Sequence, residues 1–157
     1  MLIMQKESLY RDVEAQIYAV TEGEYNITAN MASISCLLNL TFDDYFWVGF
    51  YIVDPLKERE LVVGPYQGTL GCLRISYDRG VCGMAAKTGK TQIVENVHDF
   101  PGHIACDSHT NSEIVVPVYN KSGELIAVFD VDSTKFSTFD EVDKVWLEKI
   151  LQTVFTK

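Results

Sequence analysis

A chain of 157 residues, 47% hydrophobic and 22% charged, has the size and make-up of one globular domain with a sizeable core. Its net charge of −9 excludes the basic patch that nucleic acid or an anionic membrane surface would need in a partner. No apolar run reaches membrane-spanning length, and Met1-Leu2-Ile3-Met4 passes at once into Gln5-Lys6-Glu7 without a signal-peptide core. The cytoplasm is therefore the expected compartment, and the sequons at Asn26, Asn39 and Asn120 are expected to be chance matches. In such a reducing setting Cys36, Cys72, Cys82 and Cys106, with no C-x-x-C pair among them, do not read as a structural disulfide framework.

Taken in order, Leu9, Val13, Ile17 and Val20 predict an amphipathic helix over residues 8–20. Thr21 and Glu24 have the form of a capping box for a second helix, with Ile27, Met31, Ile34 and Leu38 on one stripe. Cys36 falls among apolar neighbours in that helix and reads as a small core hydrophobe. Residues 45–53 are rich in β-formers and apolar on both faces, which predicts a central strand turned by Asp54-Pro55. Leu61 to Gly64 returns as a second strand, and Pro65, Gly68 and Gly71 open a loop holding Cys72. Leu73 to Ile75 is a third, short strand. Arg79 to Thr88 reads as a short helix stopped by Gly89, and Gln92 to Val94 as a strand. After a long loop, Glu113 to Tyr119 and Leu125 to Asp132 form a hairpin turned by residues 120–123. Thr138 and Glu141 suggest a capping box for a last helix, with Val142, Val145, Trp146, Ile150 and Val154 facing inward. Short links between neighbouring strands favour antiparallel pairing, so the expected fold class is α+β with helices packed on a sheet.

The long loop, Gly102 to Glu113, concentrates a thiol, two carboxylates and two imidazoles in a turn-rich segment delivered onto a buried strand. His103-x-x-Cys106-x-x-His109 clusters three ligand types, but known structural zinc spacings are absent and no metal is expected. Asp130 and Asp132 lie two apart on a strand and so point to one face. Carboxylates on an apolar sheet face are costly unless they meet a cation, share a proton, or reach solvent at the strand end. Glu113, at the loop-to-strand junction, can join them. Trp47 and Tyr51 share strand parity with Gly49 between them, which predicts a groove between two rings, with plain core packing as the alternative.

Several segments together resemble the signature of the free methionine-(R)-sulfoxide reductases, a family of single GAF-domain enzymes. They are Gly68-Thr69-Leu70-Gly71-Cys72, Gly80-Val81-Cys82-Gly83, Gly102-His103-Ile104-Ala105-Cys106-Asp107, Asn111-Ser112-Glu113 and Asp130-Val131-Asp132-Ser133-Thr134. The similarity runs from about Trp47 to the last helix. It implies that residues 1–157 form one GAF domain. In that fold a central antiparallel sheet carries the N- and C-terminal helices on one face and a loop-covered pocket on the other. It implies thiol-dependent reduction of the R-sulfoxide of free methionine, with Cys106 as nucleophile and Cys72 as resolving thiol. Cys82 would be an accessory or alternative resolving thiol. Trp47 and Tyr51 would hold the substrate methyl group, and Glu113, Asp130 and Asp132 its polar end. No bound cofactor is implied, since thioredoxin acts as external reductant; a homodimer is an open alternative. The rival expectations are a GAF module that only binds a small ligand and a thiol redox sensor without turnover. Such chemistry needs a thiol activated below its ordinary pKa of about 8.5, and Asp107 beside Cys106 opposes that. One departure stands out: this chain has Asn96 ahead of Val97-His98, where relatives often carry Asp.

Overall fold

The computed structural model describes residues 1–103 and 106–157; Ile104 and Ala105, within the long predicted loop, lie outside the described residues. Four helices are present: α1 (Ile3–Thr21), α2 (Ile27–Thr41), α3 (Gly80–Thr88) and α4 (Glu141–Phe155). The strands are β1 (Trp47–Val53), β2 (Glu60–Gln67), β3 (Arg74–Ser76), β4 (Gln92–Val94), β5 (Ser112–Tyr119) and β6 (Leu125–Ser133). They form one six-stranded sheet in the order β3-β2-β1-β6-β5-β4, with every pair antiparallel. The predicted element order holds throughout. Among the described residues no helix is long and apolar enough to cross a membrane.

Strand periodicity sorts the side chains into two cores. Val48 and Phe50 of β1, Ile114, Val116 and Val118 of β5, and Phe129 and Val131 of β6 point to the face covered by α1, α2 and α4. Trp47, Tyr51, Val115 and Val128 point to the other face, against α3. Between β3 and β4 the chain must travel from one sheet edge to the opposite edge. It does so as α3, laid across the second face, and that crossing creates the pocket beneath it.

Several local expectations are corrected. Helix α1 begins five residues earlier than predicted, and its buried face runs through Lys6, Tyr10, Val13, Ile17 and Thr21, leaving Val20 exposed. Thr21 ends that helix with its hydroxyl donating to the Ile17 carbonyl, while the Asn26 side chain caps α2 by accepting from the Ala29 amide. Cys36 is exposed, not a core residue, because the buried stripe of α2 passes through Ser35 and Leu38 on either side of it. In α4 the capping box is made by Asp140 and Asp143, and Val145 faces solvent.

Asp143 does more than cap. One oxygen accepts from Lys6 Nζ at 2.7 Å and the other from the Tyr10 hydroxyl at 2.6 Å, and Tyr10 in turn meets the Tyr45 hydroxyl at 2.5 Å. Tyr10 gives its proton to Asp143, so Tyr45 donates to Tyr10. This buried chain ties α1 and α4 to the entry of β1. Burial raises the Asp143 carboxyl above its ordinary range, opposed by Lys6 and Tyr10. Replacing Asp143 by Ala leaves the buried Lys6 ammonium only its longer contacts to Asp140 and the Thr138 carbonyl and removes the acceptor of Tyr10, so Asp143→Ala should cost about 3–5 kcal/mol in urea unfolding. A loss below about 1 kcal/mol would mean that water reaches Lys6 and the network carries little.

Candidate active site

Antiparallel register builds the polar floor of the pocket. Glu113 of β5 stands directly across from Asp132 of β6, and Asp130 stands across from Val115 on one side and Gly49 on the other. The three carboxyls therefore share one sheet face, as their spacing predicts. They do not sit at an open strand end: Glu113 is 5% exposed, Asp130 4%, and Asp132 half-buried. Cys82 hangs over them from the first turn of α3, with its thiol 3.9 Å from Glu113 Oε1. The Cys82 sulfur and carboxyl oxygens of Glu113 and Asp130 lie within 4.8 Å of one another.

Removal from water raises the pKa of every group here. Burial first, then the neighbouring Asp130 and Asp132 charges, holds Glu113 well above the carboxylate range. Burial and Asp130 do the same to Asp132. Asp130 is pushed up to about 6 by burial, offset by hydrogen bonds from Glu113 and Cys82. Of the three carboxyls, Glu113 and Asp132 are each held above their ordinary range by burial and by their neighbours' charges, so the cluster as a whole favours keeping protons. The Cys82 thiol is held well above its usual value by burial and the same carboxylates. One oxygen, Asp130 Oδ1, is buried without a hydrogen-bond partner among the described residues. Cys82, Glu113 and Asp130 are near enough to share a divalent ion; they are not the His103/Cys106/His109 trio of the long loop, where no metal is expected.

Aromatic rings wall one side. Trp47 and Tyr51 stack with centroids 5.5 Å apart, and Tyr66 of β2 stacks on the other face of Trp47 at 5.0 Å. Gly49 does not open a groove between the first two rings. The β1–β2 register shifts by one residue, a β-bulge, and a side chain at Gly49 would collide with Tyr66 Cβ. Gly49 exists to seat Tyr66. The apolar slot lies instead against the outer edges of Trp47 and Tyr51, where the backbone of Gly71 approaches so closely that an added Cβ would lie 3.0 Å from Trp47 and 3.1 Å from the Tyr51 hydroxyl. The Trp47 indole donates to the Thr69 carbonyl at 2.9 Å, fixing that loop. Burial, then Asp130, raises the Tyr51 phenol, which stays a neutral donor.

The loops that close the pocket carry the remaining thiols. Cys72, on the β2–β3 loop, is joined by a disulfide to Cys106, on the loop before β5, with Cα atoms 5.6 Å apart. That is the pairing the resemblance implies; Cys82 stays a free, buried thiol. Asp107 is occupied rather than bare. It accepts from the His109 amide at 2.8 Å, from His109 Nδ1 at 2.7 Å and from the Thr69 hydroxyl at 2.8 Å, and these bonds hold its carboxyl low. The Thr69–Asp107 bond is a second, non-covalent link between the two cysteine loops. Sequence reasoning gave no role to Thr69 or Tyr66; the signals were Thr69's place inside the Gly68–Cys72 segment and Tyr66's place just after Pro65. Asn96 is not part of the floor: its side chain accepts from the His98 amide at 3.0 Å and caps a 3-10 turn, a role Asn fills as well as Asp. The enclosed space measures about 40 Å³ and is bounded by Trp47, Tyr51, Cys82, Cys106, Glu113 and Asp130, among others.

A sheet crossed on one face by a short helix, with a pocket closed by loops beneath it, defines a GAF domain, and residues 36–154 match the GAF domain family model. Near full-length relatives narrow this further. The chain is 49% identical to GAF domain-containing protein A of Dictyostelium discoideum, over 94% of this chain and 90% of that protein. It is 41% identical to the free methionine-R-sulfoxide reductase of Escherichia coli, over 96% and 93%. The Neisseria meningitidis free methionine-R-sulfoxide reductase, solved in complex with its substrate, superposes with a TM-score of 0.89 at 45% identity, over 96% of this chain and 90% of that one. The chain belongs to the free methionine-R-sulfoxide reductase family of GAF-domain enzymes.

The Asp130 shift makes a stability prediction with a definite sign. A carboxyl raised from 3.8 to about 6 favours folding fully below the lower value and loses that advantage as pH rises through the upper one. Asp130→Asn removes the ionisation. At pH 7 the variant should be more stable than the parent by on the order of 2–3 kcal/mol. The gain should shrink between about pH 6 and pH 4. Equal stability differences at pH 4 and pH 7, by denaturant melts, would show that Asp130 titrates normally.

Proposed function

We propose that the protein reduces free L-methionine (R)-sulfoxide to methionine at this pocket, in the cytoplasm, with thioredoxin as its reductant. The observation that carries this reading is the unpartnered Asp130 oxygen beside two further carboxyls, Glu113 and Asp132, under a disulfide that can accept electrons. A free amino acid brings an ammonium that suits Asp130 as a carboxylate. Its sulfoxide oxygen needs the proton that Glu113 or Asp132 holds. The edges of Trp47 and Tyr51 accept its methyl group.

In the reduced enzyme the Cys106 thiolate attacks the substrate sulfur. The oxygen, protonated by a carboxyl of the floor, ends on Cys106 as a sulfenic acid, and methionine leaves. Cys72 then attacks the Cys106 sulfur; the S–S bond forms and the hydroxyl departs as water. A dithiol restores both thiols with two electrons. Cys82 takes no redox part in this scheme. Its raised pKa keeps it a thiol, a donor toward Glu113 whose hydrogen bond partly offsets the rise in the Glu113 pKa. A thiol redox sensor would share the disulfide but has no need of three buried carboxyls, and a binding module has no need of the disulfide.

Two measurements test the scheme. NADPH consumption in a thioredoxin-coupled assay should require free methionine sulfoxide, and Cys106→Ser should abolish it while Cys36→Ser, on an exposed helix face, leaves it intact. Full activity in Cys106→Ser would remove the mechanism. Substrate form gives the second measurement. Blocking the amine leaves Asp130 without its cation, so N-acetylated and peptide-bound sulfoxides should turn over slower by orders of magnitude. The S epimer should fail too, because its oxygen points away from the acid. Comparable rates for free and peptide-bound sulfoxide would mean an open site.

A further inference from the structure

Two of the most exposed large apolar side chains in the protein, Leu70 at 81% and Leu73 at 73%, stand on either side of Cys72 in the chain. Neither belongs to either hydrophobic core. Single exposed leucines need no explanation, but two bracketing one sulfur of a disulfide make a local apolar rim. Gly71-Cys72-Leu73 leads directly into β3, which is the outer edge of the sheet. The Leu73 carbonyl bonds inward to the Val63 amide at 2.9 Å, and β3 has a strand neighbour, β2, on one side only, which leaves an edge where an extended backbone can add.

We propose that Leu70, Leu73 and the β3 edge form the docking surface for the protein dithiol that recycles the enzyme, and that its thiolate attacks Cys72 rather than Cys106. The inference rests on the proposed reductase function but concerns only the return of the disulfide to thiols. A small thiol gains nothing from an apolar rim beside a strand edge; a protein with a flat apolar surface around its own cysteine pair gains both contacts. Cys106 is exposed and Cys72 half-buried against the second core, so access alone does not select Cys72. The seat does. A partner held by residues two before and one after Cys72 has its thiolate over that sulfur. A bond forms between the partner's sulfur and Cys72, the Cys72–Cys106 bond breaks, and Cys106 leaves as a thiolate. The partner's second thiolate then attacks its own bonded sulfur and releases Cys72. The dithiol becomes a disulfide, and its two electrons reside on Cys72 and Cys106.

The test follows disulfide reduction itself, by appearance of labelled thiols in oxidised protein, and so does not require turnover of any substrate. Leu73→Ser should reduce at the parent rate with dithiothreitol, within about twofold. With reduced thioredoxin its second-order rate should fall about tenfold, in line with the loss of one buried leucine contact. An unchanged thioredoxin rate, or an equal fall with both reductants, would overturn the docking surface. Thioredoxin lacking its second cysteine should be trapped on Cys72 by peptide mapping, and an adduct on Cys106 would overturn the assignment of the attacked sulfur. Failure of the protein to consume methionine sulfoxide with dithiothreitol would be a different result: it would remove the proposed function and leave these reduction rates to be read on their own.

Discussion

Everything at the site depends on the β1–β6–β5 register. Glu113 faces Asp132, and Asp130 lies one side-chain repeat further along the same face, in strands that are otherwise apolar. Because side chains alternate with a period of two, a slip of one residue would drive these carboxyls into the helix-covered core and expose Phe129 and Val131 to the pocket. The face that anchors the register is therefore the opposite one. Phe50, Phe129, Ile114 and Val116, pressed under α1, α2 and α4, fix strand positions that three buried acids alone would not hold. The large apolar core is the device that makes a costly polar floor tolerable.

Closure over that floor is built from distant parts of the sheet. Cys72 comes from the loop between β2 and β3 and Cys106 from the loop between β4 and β5, so their bond ties opposite halves of the sheet across the pocket. In this oxidised state the enclosed space is about 40 Å³, room for a few water-sized spheres. An amino acid of about ten non-hydrogen atoms needs more. The space under the disulfide is thus smaller than such a molecule. Thr69–Asp107 adds a second, non-covalent link between the two loops that the disulfide joins.

What the sequence made legible follows the strength of its periodic signals. The order of elements along the chain, the shared face of Asp130 and Asp132, and the antiparallel class were all readable from alternation and turn residues. Helix ends were not. Lys6 at a buried helical position breaks the apolar stripe and hides the first turns of α1; Asp143 and Asp140, far along the chain, make it tolerable. Both predicted capping boxes failed because Thr and Glu at the right spacing recur by chance, while Asn26 and Asp140 captured the free amides. Cys36 was misplaced because a stripe defined by Met31, Ile34 and Leu38 does not reveal which of its neighbours turns outward. Within the site, the bulge that turns Gly49 into a seat for Tyr66 depends on an offset between two strands. No single strand carries that information.

The three site thiols differ in surroundings, not in chemistry. Cys82 lies closest to the acids, and that is why it is the poorest nucleophile: a thiolate there would be desolvated and repelled by Asp130. Cys106 stands at the exposed rim, with the negative charge of Asp107 beside it turned into hydrogen bonds from His109 and Thr69. The same burial that raises the Cys82 thiol also raises the Glu113 and Asp132 carboxyls. In the proposed scheme one electrostatic condition therefore does two things: it favours the acid that a departing sulfoxide oxygen requires, and it leaves the reacting sulfur to be chosen at the loop. Relieving that burial by opening the floor to water would lower all of these pKa values together, and the site would lose its proton donor in the same step that made Cys82 a competitor.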